Sequence, residues 1–120
     1  MVANKVTSTV NTLKGNILTP GGWIAGTLGF GERIAGIGGN AADPEANADD
    51  YILPGFIDLH VHGGGGRDVM EGGDAVHAIA AIHARHGTTS ILATTMTAPP
   101  EDIDLALGAI GAAVKSRGKG

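Results

Sequence analysis

The stretch Phe56-Ile57-Asp58-Leu59-His60-Val61-His62-Gly63-Gly64-Gly65-Gly66 decides the reading of this chain. Side chains alternate across an extended strand. Ile57, Leu59 and Val61 therefore share one face, and Phe56, Asp58, His60 and His62 share the other. A glycine quartet ends the strand. After it, Asp74 opens a helix expected over 74–86 as an N-cap or first-turn acid, with Val76, Ile79, Ile82 and His83 as its stripe and Gly87 as its stop. Thr88 to Met96 is a β-branched run and reads as a second strand. Pro99-Pro100-Glu101-Asp102 starts another helix with proline and acids in its first turn. Its expected stripe is Ile103, Leu107, Ile110 and Val114, and it ends at Lys115, Arg117 and Gly118. The order β-α-β-α implies parallel strands covered by helices, with ligands at the C-terminal strand ends.

Residues 5–38 read differently. Short β-type runs at Lys5–Val10, Asn16–Thr19, Trp23–Phe30 and Arg33–Ile37 are broken by glycine and by the turn Pro20-Gly21-Gly22. Such spacing suggests part of a small β-sandwich or roll. Residues 39–50 are Gly, Asn, Ala, Asp, Pro and Glu, the composition of a solvated linker. Two domains follow: 1–50, a partial N-terminal β domain with its linker, and 51–120, two β/α units.

Composition narrows the classes. Eight basic against twelve acidic residues give a net charge of −4, which argues against nucleic acid and anionic membrane surfaces as partners. Leu, Ile, Val and Phe number 28 of 120, enough for a packed core. No apolar run approaches the roughly 18 residues of a membrane span, and no signal peptide follows Met1, so a cytoplasmic location is expected. The absence of cysteine excludes disulfides, zinc fingers and thiol nucleophiles.

Two imidazoles at i and i+2 on one strand face can share a metal, with Asp58 as a further ligand or as an orienting carboxylate. The same pair is equally compatible with two hydrogen-bonded, inert histidines at a buried strand end. Gly63 to Gly66 admit three readings: close approach of a substrate to the backbone, the oxyanion element of an esterase, or a plain turn. The esterase reading lacks its Gly-x-Ser-x-Gly elbow. His83 and His86 read as core or helix-end residues, with His77 pointing elsewhere. Asp68 and Glu71 read as solvated loop acids. Thr95, with its neighbours Thr94 and Thr97 at the second strand's end, is a candidate substrate contact.

Leu53-Pro-Gly-Phe-Ile-Asp-Leu-His-Val-His62 resembles the opening barrel strand of the amidohydrolase superfamily. The continuation His62-Gly-Gly-Gly-Gly-Arg-Asp-Val-Met-Glu71, with Gly87-Thr-Thr-Ser-Ile-Leu-Ala-Thr-Thr-Met-Thr-Ala-Pro99, is similar to the N-acetylglucosamine-6-phosphate deacetylase family. The resemblance implies an α/β fold, a partial (β/α)8 TIM-like barrel represented by its first two β/α units. It implies a hydrolase that removes acetate from the 2-acetamido group of a sugar phosphate. It also implies a divalent metal (zinc, iron or manganese) on His60 and His62. A complete barrel takes about 250 residues, so the chain is expected to be an N-terminal fragment. No catalytic residue is expected within it, since the family's remaining ligands and catalytic aspartate fall beyond residue 120. The fragment alone is expected to be inactive and, with open strand edges, to form homo-oligomers. Other amidohydrolases of the dihydroorotase and dihydropyrimidinase kind, and a non-catalytic truncated product, are the alternatives.

Overall fold

A computed structural model describes residues 10–117 and resolves them into two compact units, dividing after Pro54. The strand expected over Lys5–Val10 lies outside the described residues but for Val10.

The first unit is one sheet of four strands, β1 (Asn11–Thr19), β2 (Gly22–Phe30), β3 (Ile34–Ala41) and β4 (Tyr51–Ile52), in the order β3-β2-β1-β4. Pro20 and Gly21 form the two-residue loop of the β1–β2 hairpin, with Thr19 opposite Gly22. β3 adds antiparallel to β2, and β4 pairs parallel with β1 through Asn16–Tyr51 and Ile17–Ile52. Tyr51 and Ile52 thus belong with the strands that precede them rather than with the second half. Its described residues form a single layer.

Residues 39–50 are more than a linker. β3 continues to Ala41, a 3-10 turn spans Pro44–Ala46, and Asn47 locks onto the buried Asn16. Asn16 Nδ2 donates to Asn47 Oδ1 at 2.8 Å and to the Asp49 carbonyl at 3.2 Å, and Asn47 Nδ2 returns a bond to Asn16 Oδ1. A fully buried amide with every polar atom matched is neutral to favourable; unmatched it would be costly.

The second unit pairs β5 (Phe56–Val61) in parallel with β8 (Thr88–Ala93), as the β-α-β order requires. Between them lie a glycine hairpin, β6 (Gly63–Gly64) and β7 (Arg67–Asp68), a 3-10 turn Val69–Glu71, and α1 (Ala75–Ala84). α2 (Pro100–Lys115) follows β8. α1 is built mostly of alanine and isoleucine, and the chain leaves it at Gly87, whose φ of +87° suits glycine. α2 takes proline in its first turn, with Glu101 and Asp102 near the positive end of its dipole and Lys115 near the other.

Val61, Val69, Ala75 and Ile79 form the core of this unit, with Ile91, Ala93 and Ile110 packed against them. The apolar face of β5 is buried unevenly, and the stripe expected on α2 differs from the buried line. Val61 is 3% exposed, whereas Ile57 and Leu59 are each 67% exposed. The register between β5 and β8 breaks between Asp58 and Val61, and the core closes only over the strand's C-terminal end. On α2 the buried line runs through Ala106 and Ala113 with half-buried Ile103 and Ile110, while Leu107 and Val114 are exposed. Small alanines are what permit close approach there, so the seam follows them rather than the larger residues. β8 also stops at Ala93 rather than Met96, leaving Thr94–Thr97 in the following loop. Among the described residues no helix is long and apolar enough to cross a membrane.

Candidate metal centre

His60 and His62 close the end of β5, and their rings meet edge to face with centroids 4.7 Å apart. The two Nε2 atoms are separated by 2.9 Å. Nitrogen ligands about 2.0–2.1 Å from one divalent ion stand this far apart when they meet it at roughly a right angle.

The tautomer of His62 follows from its other nitrogen. Nδ1 lies 2.9 Å from the Thr94 carbonyl oxygen, which can only accept. Nδ1 therefore carries the proton, and in a neutral His62 the Nε2 lone pair is left to accept a hydrogen bond from His60 Nε2–H, 2.9 Å away, or to take a metal in its place. The backbone around it is held too: Val69 N donates to the His62 carbonyl and Thr94 N to that of Val61, each at 2.7 Å.

Asp58 is not brought into a three-ligand group with the histidines; its Oδ1 accepts from the backbone N–H of His60 at 3.1 Å. That bond fixes the strand rather than an imidazole. Among the described residues no cluster of three or more His, Asp or Glu side chains could close around an ion. The donor set present fits two positions of a metal site and does not complete one.

The glycine quartet is an ordered hairpin. Gly63 pairs with Asp68 and Gly64 with Arg67, and Gly65 and Gly66 make the turn with φ of +62° and +79°. Both positive values are those of the tight turn that matches strand twist, and only glycine takes them freely. Arg67 anchors the far strand, with Nε 2.7 Å from Glu71 and Nη2 2.9 Å from Asp74. Hydrogen bonding from Arg67 holds the Glu71 carboxyl below the usual carboxylate range, helped by the Asp68 backbone N–H. The Asp74 carboxyl is lowered by the same guanidinium. Asp74 thus spends its side chain on Arg67 and makes no helix-capping bond. Of Asp68 and Glu71, expected as solvated acids, Glu71 is exposed and Asp68 half-buried, and the two form a reciprocal capping box on the 3-10 turn.

His83 is half-buried, its Nε2 3.2 Å from the Gly63 carbonyl oxygen. His77 reaches Ser116 Oγ at 3.2 Å, and His86 is exposed. A shallow pocket of about 180 Å³ lies between Gly63, Gly64, Gly65, Ile82, His83 and His86. Thr95 is half-buried in the loop after β8. No sequence signal marks the Thr94 carbonyl, since any residue carries one. His83 was visible only as a polar interruption of an apolar stripe.

No family model matches the chain. It is 50% identical over 48 residues to N-acetylglucosamine-6-phosphate deacetylase of Lysinibacillus sphaericus, covering 39% of this chain and 12% of that protein. Over 72 residues it is 42% identical to N-acetylgalactosamine-6-phosphate deacetylase of Escherichia coli O157:H7, covering 59% of this chain and 19% of the relative. Among solved structures, a mutant N-acetyl-D-glucosamine-6-phosphate deacetylase from Mycobacterium smegmatis, in complex with N-acetyl-D-glucosamine-6-phosphate, matches with a TM-score of 0.72 and 30% identity. That match covers 91% of this chain and 30% of the mycobacterial one. The chain thus spans less than a third of each of these proteins, and over the stretches matched its α/β structure resembles that of the N-acetylglucosamine-6-phosphate deacetylases.

Proposed function

We propose that this chain contributes two metal ligands, His60 and His62, and the neighbouring hairpin to a deacetylase site for an N-acetylated amino-sugar phosphate. In this reading β5-α1 and β8-α2 are the first two β/α units of a barrel, and N-acetylglucosamine 6-phosphate is the substrate. The observation that carries the proposal is the 2.9 Å approach of the two Nε2 atoms, with the His62 proton committed to Thr94.

A divalent metal bound there supplies Lewis acidity toward an amide carbonyl and a water of lowered pKa. The chain's own part is to hold the two imidazoles in position and to place the proton of neutral His62 on Nδ1, so that Nε2 is the ligand atom. The Gly63–Gly66 hairpin follows this pair directly in the chain, and of its four glycines Gly66 has open space beside it, which is where a sugar would reach the backbone. Two imidazoles are fewer than the roughly three protein ligands of a catalytic site, so the 120 residues on their own should turn over little substrate.

The test is acetate release from N-acetylglucosamine 6-phosphate, with zinc, manganese or iron added, by a deacetylase carrying this sequence and the remaining ligands. Activity that falls at least 100-fold in the His60→Ala/His62→Ala double variant supports the reading. An equally active double variant overturns it. Turnover by the 120 residues alone, lost in the double variant, would instead place a complete site between copies of the chain.

A further inference from the structure

His62 is tethered through its Nδ1 and through its carbonyl, and the next peptide along, Gly63–Gly64, has a restraint from a different element. The Gly63 carbonyl accepts only, so the His83 Nε2 that lies 3.2 Å from it must carry a proton and donate. The contact is close on the next residue as well: a Cβ built on Gly64 would stand 2.9 Å from His83 Nε2 and 3.0 Å from Ile82 Cγ2. The ring of His83 therefore lies against the hairpin strand that leaves His62.

We propose that His83 is a positioning residue for the His60/His62 pair. By holding the Gly63–Gly64 peptide from α1, it fixes the start of the hairpin next to His62 and so the direction of the His62 Nε2 lone pair. This rests on the two-histidine metal reading above. Groups that orient ligands from behind typically change metal affinity by 10–100-fold when removed.

The experiment uses the full chain with histidine-selective ¹⁵N labelling and a Co²⁺ titration. His83→Leu keeps bulk and removes the donor; His83→Gln keeps a donor at similar reach; His86→Leu, one turn on and exposed, serves as a control. Without metal, His62 should remain protonated on Nδ1 in the wild type, His83→Gln and His86→Leu, and become a mixture of tautomers in His83→Leu. Co²⁺ affinity should fall about tenfold in His83→Leu, as for other second-layer partners, and return to within about threefold in His83→Gln. Should His83→Leu fail to fold, Gly64→Ala displaces the ring instead and should weaken Co²⁺ binding in the same direction. An unchanged tautomer and affinity in folded His83→Leu or Gly64→Ala overturns the proposal, as does His83→Gln behaving like His83→Leu. A folded wild type that binds no Co²⁺ overturns the metal reading itself, a result the metal-free tautomer measurement keeps separate.

Discussion

The Nδ1 proton of His62 is given to the carbonyl oxygen of Thr94, 2.9 Å away and 32 residues later in the chain. The bond joins the C-terminal ends of the two parallel strands. It also makes the donor state of one histidine depend on the backbone of another strand. The Thr94 hydroxyl takes no part: it donates back to the Leu92 carbonyl at 3.0 Å.

Thr94→Ala should therefore leave Co²⁺ affinity within about threefold of wild type, whereas His62→Ala removes a ligand and should abolish measurable binding. Isothermal titration of the two variants checks this. A Thr94→Ala variant as weak as His62→Ala would show that the side chain, not the carbonyl, matters.

Ile79 is fully buried at the centre of the second unit. Ile79→Ala should cost about 2–5 kcal/mol, the range for large-to-small core changes. That is a large share of the roughly 5–15 kcal/mol that stabilises a typical domain. Leu107→Ala, on the exposed side of α2, should cost less than about 1 kcal/mol. Urea unfolding followed by circular dichroism gives both values, and equal losses would contradict the α2 seam described above.

The β-α-β-α order was legible because strand, helix and stop signals agree at Asp74, Gly87 and Pro99. The pairing of His60 with His62 followed from strand alternation alone. What the sequence hid were contacts made by groups every residue has, or by residues whose apparent role is generic. Asp74 reads as a helix cap until Arg67 is found across the hairpin. Alternation puts Ile57, Leu59 and Val61 on one face, but it does not show that the core closes over Val61 only. Ala106 and Ala113 outrank Leu107 and Val114 because proximity, not hydrophobicity, selects the seam. The apolar residues left exposed on β5 and α2 are consistent with the short span of the deacetylases that this chain covers.

Asn16 and Asn47 bind each other through both amide groups. Asn47→Ala leaves the buried Asn16 amide without that partner and should cost about 1–3 kcal/mol, the usual penalty for an unmatched buried polar group. Replacing Asn16 as well, as Asn16→Leu with Asn47→Ala, should restore part of the loss. Chemical denaturation of the two variants decides it. A double variant no more stable than Asn47→Ala alone would mean that the pair is not coupled in this way.

Arg67 gives a pH-dependent contribution whose sign is fixed. It hydrogen-bonds Glu71 and Asp74 and holds both carboxyls below their ordinary values. A carboxyl with a lowered pKa in the folded state takes up fewer protons there than in the unfolded chain. Its stabilisation is thus fully present above the ordinary carboxylate range and is lost as pH falls through that range toward the lowered folded value. The Arg67 guanidinium stays charged throughout, since the same two carboxylates raise its pKa. Arg67→Met removes the partner and leaves Glu71 and Asp74 to repel each other while both are ionised. The stability difference between wild type and Arg67→Met should therefore be greatest near neutral pH and shrink on acidification. All three groups are solvent-exposed, so the difference should also shrink with added salt. Urea titrations from neutral to acidic pH, at low and high salt, measure it. A difference that stays constant across pH would show that the Arg67 contacts act through packing of the hairpin and not through charge.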